Sequence, residues 1–404
     1  MQLPLFEALA PTDEAWRQRL SRVDPIAYAR TRNALEGRVT GLSPWITHGF
    51  VTPGQVLADL GRRHALTAED KLVMELGWRE YWHHVWRHLG EGIFADVRRP
   101  VYPGRYAQAV PIDVLEARCG VPAIDEAVRT LHDTGTLHNH ARMWVASYLT
   151  HQRKVHWAAS AAWMYGHLLD GDLASNALSW QWVAGTFSHK PYLFNAANVA
   201  RYAPRAWHSP GSAIDASYEA LGEVAVAGPD VGPEPGERVG TPAPTLHREP
   251  PAACLVAVGR DTGGGWWAAA GAAGPPAAGE ACRLVHPWDL AAPGDRAVRR
   301  VGLVHLPFHA RFPWSERRWR FVLARLAATC DAVWLGDATA FPLAGAHLAT
   351  ATLNPGYAEA LPRLATCAPA PRFTPDPARL APSFSQFWAA VRGGLELGEA
   401  GAPR

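Results

Sequence analysis

Asp170-Gly171-Asp172-Leu173-Ala174-Ser175-Asn176-Ala177-Leu178-Ser179-Trp180-Gln181-Trp182 is the densest stretch of chemistry in this 404-residue chain. Two carboxylates flank a glycine, an asparagine follows, and two tryptophans close the run. Either acid can cap a helix that begins beside it. Capping accounts for one acid and leaves the asparagine and the tryptophan pair without a role. Upstream, Asn139 and Arg142 stand three apart on one helical face, within reach of either acid across a fold. A third block, Glu75-Leu76-Gly77-Trp78-Arg79-Glu80-Tyr81, puts Glu75, Trp78 and Arg79 on one helix face. An acid, an indole and a guanidinium together suit a planar polar ligand; they also describe a half-buried aromatic beside a satisfied ion pair.

Working outward, residues 1–212 read mainly as helices. Apolar and aromatic positions keep helical spacing from Leu72 to Trp86. Further helices are predicted over 122–134, 139–150 and 152–168, the first two separated by the turn Asp133-Thr134-Gly135-Thr136. Composition changes near 224, and the stretch to 252 is rich in Pro and Gly without period, which marks a linker or a long loop. Beyond it, short apolar runs at 254–258, 282–285, 301–306 and 332–335 surround an amphipathic helix at 315–328, the pattern of a small α/β domain. The glycine-rich run 263–279 has neither P-loop nor GxGxxG spacing. The division predicted is 1–223 helical, 224–252 linker and 253–404 α/β-like: a mostly α protein with a smaller C-terminal α/β-like domain.

Composition narrows the function less. The formal charge is +2, and residues 1–210 carry 22 Lys or Arg against 19 Asp or Glu, so contact with nucleic acid would need local clustering of charge. Thirteen of the 18 histidines fall in the same stretch, and their protonation would add positive potential there. Cys119, Cys254, Cys282, Cys330 and Cys367 lie far apart with no CxxC pair, which argues against an iron–sulfur cluster, a zinc knuckle or a disulfide scaffold. No metal-spaced cluster and no hydrolytic triad is present, so no metal is expected. No apolar run reads as a membrane span or a signal peptide, which points to the cytoplasm. The 18 tryptophans suit cores, ligand stacking or redox work, and composition does not separate these uses.

These blocks resemble the photolyase/cryptochrome family. Tyr28 with Thr40-Gly41-Leu42-Ser43-Pro44-Trp45 is similar to the family segment that wraps the FAD phosphates, and residues 75–81 are similar to its Glu-Leu-x-Trp-Arg-Glu-Phe helix. His138-Asn139-His140-Ala141-Arg142-Met143 and residues 170–182 resemble two further family blocks in the same order. The resemblance implies an all-helical FAD-binding domain whose cofactor is held by Tyr28, Thr40, Leu42, Ser43, Arg79, Arg142, Asp170, Asp172 and Asn176. In it Arg142 pairs with Asp170, Asp172 faces the ribityl and adenosine side, and Asn176 stands near flavin N5. It implies that Trp78 and Trp182 flank a pyrimidine dimer flipped from ultraviolet-damaged DNA, that Glu75 hydrogen-bonds the dimer, and that Asn139 and Met143 complete the pocket. Trp180 and Trp157 match the flavin-proximal and middle members of an electron-transfer chain; Trp86, Trp163 and Tyr102 are candidates for its surface end.

The sequence also departs from the family pattern. Val39-Thr40-Gly41 stands where the family has Thr-Ser-Arg, which removes a hydroxyl and a guanidinium; Thr136 replaces a Trp; and the segment 186–195 differs at the rim, where Lys190 is a substitute phosphate contact. Family members normally begin with an α/β antenna domain, whereas this chain enters the helical block almost at once. Region 252–370 is then either a relocated counterpart or an unrelated substitute. Two functions follow from the resemblance: light-driven repair of pyrimidine dimers by a photolyase-like carbon–carbon lyase, or a cryptochrome-like blue-light sensor acting through a protein partner. A flavoprotein without light-dependent function is a third. An enzyme for (6-4) photoproducts would need histidines over the lesion, and His48 and His138 lie in the relevant segments.

Overall fold

A computed structural model describes residues 9–188, 190–227, 240–268, 274–294, 298–342, 345–395 and 397. Between Asp13 and Val226 the described chain is built of helices and turns, with one isolated bridge from Ala107 to Val155. The longest helix, Lys71–Leu89, forms over the stretch with helical spacing and buries Leu72, Val73, Tyr81, Val85 and Trp86 around its circumference. Helix Pro122–Thr134 stops at Gly135, in the turn read from sequence. Two boundaries differ. Helix Asn139–Ser147 loosens into a π-helical turn, Tyr148–Gln152. The next helix begins only at Trp157, because Lys154 sits at φ 48° and residues 154–156 pair with Ala107 instead: Ala107 N donates to Lys154 O and His156 N to Ala107 O, both at 2.8 Å.

The C-terminal half is a mixed α/β structure. Its strands are β1 (Leu246–His247), β2 (Arg260–Gly263), β3 (Trp266–Ala268), β4 (Cys282–Val285), β5 (Arg299–His305), β6 (Trp314–Ser315), β7 (Ala332–Gly336), β8 (His347–Thr350) and β9 (Ala365–Ala368). Seven form one sheet in the order β2-β3-β7-β5-β4-β8-β9, and β1 pairs with β6 alone. The strands β7, β5, β4, β8 and β9 are parallel, while β3 runs antiparallel to β7 and β2 to β3. Taken in chain order, the parallel strands lie third, second, first, fourth, fifth, a doubly wound arrangement whose order reverses between β4 and β8.

Sequence reading placed three of these strands and the helix Glu316–Thr329, and it misread one segment. Residues 254–258 were expected as a strand, but Ala252–Leu255 is a short helix after Pro251. A short apolar run fits a buried helix as well as a strand, and proline at the start favours the helix. Residues 263–265 of the glycine-rich run form the turn of the β2–β3 hairpin; residues 269–273 of that run lie outside the described residues. Of the expected linker, helix Tyr218–Val226 covers its start, and 228–239 also lie outside the described residues.

One hydrophobic core unites Trp45, Phe50 and Val85 of the helical half with Leu303, Val322 and Trp334 of the sheet half. A second, formed within residues 114–214, packs around Trp144, Leu149 and Trp157. Across the junction Arg325 pairs with Asp13 at 3.0 Å and Arg311 with Glu91 at 2.9 Å. The C-terminal helix Phe384–Val391 turns back onto Lys71–Leu89, its buried Phe387 and Trp388 facing that helix and not the sheet.

Candidate functional site

A cavity of about 680 Å³ opens between the helices of the N-terminal half, within the usual size range of small-molecule and cofactor sites. Five segments build most of it. Asp24 caps helix Pro25–Thr31, which carries Tyr28 to the wall. Thr40 and Ser43 come from the turn into helix Ser43–Thr47, whose second residue is Pro44. Helix Lys71–Leu89 presents Glu75, Trp78 and Arg79, the face read from their spacing. Asn139, Arg142 and Met143 come from helix Asn139–Ser147, and Asp170, Asp172 and Trp182 from the run 170–182. A smaller space of about 110 Å³ continues inward to Asn176 and Trp180.

Two predicted residues lie off these walls. Leu42 is fully buried at the start of helix Ser43–Thr47, and Trp157 is buried away from both spaces with its Nε1 donating to Asp96 Oδ1 at 2.5 Å. Lys190 is exposed and does not reach the cavity wall, and His189 lies outside the described residues. His48 is not a cavity residue. It is buried between two carbonyl oxygens, Pro287 O at 2.7 Å and Leu169 O at 3.0 Å. Burial, reinforced by Arg318, pushes its ring down to about 3, while the two carbonyl oxygens pull in the opposite direction. His138 does line the cavity and also caps helix Asn139–Ser147, its Nδ1 accepting from His140 N.

The carboxylates are held by cations. Arg142 Nη2 donates to both oxygens of Asp170, at 2.9 and 2.8 Å. Asp172 Oδ1 caps helix Leu173–Ala184 by accepting from Ser175 N at 2.8 Å, and Oδ2 faces His83 Nε2 at 2.8 Å and Arg79 Nη2 at 3.2 Å. Burial alone would raise the Asp172 carboxyl; Arg79 and His83 more than offset it and hold it well below the usual carboxylate range. Asp170 follows the same balance, burial opposed chiefly by Arg142. Glu75 goes the other way. Burial pushes it up despite its ion pair with Arg32.

Arg32 and His83 were missed by sequence reasoning, though both left a signal. Arg32 follows Tyr28 by four residues and His83 follows Arg79 by four, so each shares a helical face with a residue already singled out. Arg318, which reaches the Asp170–Asp172 loop from the sheet half, left none. At position 41, where the family pattern has an arginine, Arg19 from helix Asp13–Leu20 lies against Gly41 but does not line the cavity.

Residues 72–207 match the family described as the FAD binding domain of DNA photolyase. The helical half contains a photolyase/cryptochrome-superfamily FAD-binding domain. The deoxyribodipyrimidine photo-lyase of Synechococcus is 33% identical over 178 residues, which are 41% of this chain and 37% of that protein. Cryptochrome DASH of Xenopus laevis is 32% identical over 167 residues, 39% of this chain and 32% of that protein. A crystal structure of a Synechocystis cryptochrome covers 49% of this chain and 45% of its own at a TM-score of 0.43 and 24% identity. The chain spans about a third of the length of the curated relatives it matches.

The residues present in this FAD-binding domain fit a large, partly planar, anionic cofactor. The cavity offers hydroxyls from Thr40, Ser43 and Ser179, guanidinium groups from Arg79 and Arg142, and an indole from Trp78. The Ser175 hydroxyl is buried beside the Asp172 carboxylate at the start of helix Leu173–Ala184 and helps keep that acid ionised. Among the described residues no cluster of His, Cys, Asp or Glu could hold a metal, and no helix is long and apolar enough to cross a membrane.

Proposed function

We propose that this protein repairs pyrimidine dimers in DNA by light-driven electron transfer from reduced FAD. The observation that carries this reading is the convergence of Glu75, Trp78, Asn139, Met143 and Trp182 on the cavity that also holds Arg79, Arg142, Asp170 and Asp172. A sensor without a substrate has no need of the first five.

FAD held by Arg79, Arg142, Asp170 and Asp172 would, when reduced, supply the light-driven electron chemistry. The protein supplies position and charge. Arg142 and Arg79 keep Asp170 and Asp172 ionised and fixed, so their oxygens are rigid acceptors along one wall. Glu75, pushed up by burial although it pairs with Arg32, faces the cavity and is the acid that would hydrogen-bond the pyrimidine. Trp182, 37% exposed, and Trp78 offer stacking surfaces worth ~1–3 kcal/mol per base. That offsets part of the cost of flipping a dimer out of the helix, which is least for a base already unpaired by damage.

Trp180 borders the inner space, and Trp157 is buried in the same core with its N–H on Asp96. Among the candidates for the surface end, Trp86 and Trp163 are buried, while Tyr102 is half-buried. Rings lead from Trp157 to Tyr102 through His156 and Tyr106, with centroid spacings of 5.8, 6.0 and 5.3 Å.

The deciding experiment is blue-light treatment of an oligonucleotide carrying one cyclobutane thymine dimer, using chemically reduced protein and a dark control. Light-dependent recovery of intact thymines is expected. No recovery, with FAD bound and reduced, would overturn the repair reading in favour of a blue-light sensor with a protein partner.

A further inference from the structure

Trp78 does not stand free at the cavity wall. Phe384, from the C-terminal helix Phe384–Val391, lies flat on it with ring centroids 4.1 Å apart and planes 11° apart. Trp388 continues the stack behind Phe384 at 5.6 Å and 20°. Trp388 in turn rests on Gly77, where any side chain would collide with its ring, and its Nε1 donates to Ala68 O at 3.2 Å. Gly77 precedes Trp78, so the same turn of helix Lys71–Leu89 presents the indole and receives the C-terminal helix.

The segment leading into that helix is moored along Lys71–Leu89. Asp376 accepts from His84 Nδ1 at 2.8 Å and pairs with Arg87 and Arg372, each at 2.6 Å. Arg372 also meets Glu80 at 3.1 Å. Tyr81 Oη donates to Ala381 O at 3.2 Å, and Ala381 N donates to His84 Nε2 at 3.0 Å. Ala381 lies three residues before Phe384, Asp376 eight and Arg372 twelve, and Tyr81 packs edge-on against the Phe384 ring at 6.1 Å, so that these contacts together fix it. Phe384 itself is absent from the cavity wall.

We infer that Phe384 is a positioning residue for the base-binding side of the cavity: it closes one face of Trp78 and fixes the indole so that a single planar heterocycle stacks on the other. This rests on the repair reading for the identity of that heterocycle, an extruded pyrimidine, and not for the brace. The Trp388–Phe384–Trp78 column behaves as a preformed stack that the incoming base extends by one ring. Preorganisation of this kind raises affinity because the indole loses no rotamer freedom on binding. The segment that provides it, residues 372–391, lies outside the region matched to the FAD-binding family.

The test uses the full-length, FAD-loaded protein with Phe384→Leu and Phe384→Tyr variants. Its first readout needs no DNA: the 19F signal of Trp78 in 5-fluorotryptophan protein, assigned with Trp78→Phe. That signal should be sharp in the natural protein, shift and broaden in Phe384→Leu, and return in Phe384→Tyr. The second is preference for a thymine-dimer oligonucleotide over its undamaged twin, expected to fall about tenfold in Phe384→Leu, the order of one lost base–aromatic stack, and to recover in Phe384→Tyr. Should leucine prevent folding, Phe384→Met keeps the volume without the flat ring and carries the same expectations. An unchanged Trp78 signal, or an unchanged preference where the natural protein has one, would overturn the inference. A natural protein that binds both oligonucleotides equally would instead overturn the repair reading, and the 19F signal would still decide whether Phe384 fixes Trp78.

Discussion

Arg318 donates to the carbonyl oxygen of Gly171 at 2.6 Å, and so holds the residue between Asp170 and Asp172 from the opposite half of the molecule. Its other terminal nitrogen donates to Tyr165 O at 3.1 Å, and its guanidinium lies 4.1 Å from the Trp314 ring centre. Gly171 carries no Cβ because one would strike that guanidinium. Arg318→Met keeps the stem and removes the donors, leaving two buried carbonyls unpaired. Charge-assisted buried bonds are worth ~1.5–3 kcal/mol each, so urea unfolding should lose about 3 kcal/mol. FAD affinity should fall about tenfold, equivalent to ~1.4 kcal/mol, as the carboxylate loop loosens. Unchanged FAD binding in a destabilised protein would mean that the helical half shapes the loop by itself.

Histidine burial sets the acid limit of the fold. Burial pushes His138 and His151 down to about 4 and His167 to about 3. In the unfolded chain the same rings titrate near ~6.5. From there downward the unfolded chain binds protons that the native one refuses, so stability is complete above the unfolded value and is lost as pH falls. Each ring contributes ~1.4 kcal/mol per pH unit, and the three together ~4. The urea midpoint should be level above about pH 7 and drop steeply below about pH 6. A level profile through that window would show these rings already charged in the native state.

Glu75 and Arg32 act as a pair. Glu75→Ala should lower repair yield more than lesion affinity; the reverse would argue against a role for the carboxyl beyond binding. Arg32→Gln removes the cation that opposes the effect of burial on Glu75, so the carboxyl should keep its proton to higher pH. If the protonated acid serves repair, the alkaline limb of the rate profile at saturating DNA moves upward. A limb that stays in place would assign Arg32 to DNA contact alone.

Trp180→Phe should slow photoreduction of bound FAD without releasing it, and unchanged photoreduction would remove Trp180 from the route. Asp96→Asn takes the negative charge away from the Trp157 N–H and should lower the photoreduction yield with no change in FAD content. At the surface end, Tyr102→Phe should have an effect and Trp86→Phe should have none. Transient absorption would follow both, and the opposite order would place the exit at Trp86.

Local chemistry in the sequence determined a good part of this protein. The 3.6-residue spacing of 72–86 produced the helix that presents Glu75, Trp78 and Arg79, because side chains three and four apart must share a face. The strands at 282–285, 299–305 and 332–336 were legible as bounded apolar runs. The short runs of β8 and β9 and the hairpin in the glycine stretch were not, because four residues of mild hydrophobicity carry no period and an edge strand gains its order from its neighbour.

Only the tertiary structure decided which distant residues meet. Phe384 and Trp78 are 306 positions apart, and Arg318 lies 147 from Gly171. Neither contact leaves a periodic trace, since each depends on how two finished surfaces pack. The sign of the shift at Glu75 was likewise beyond the sequence. A carboxyl next to a guanidinium normally falls, and here the helices packed around Glu75 raise it despite that partner. Spacing along the chain sets what one helix can present; the dielectric and the partner on the far side exist only once the halves have closed on each other.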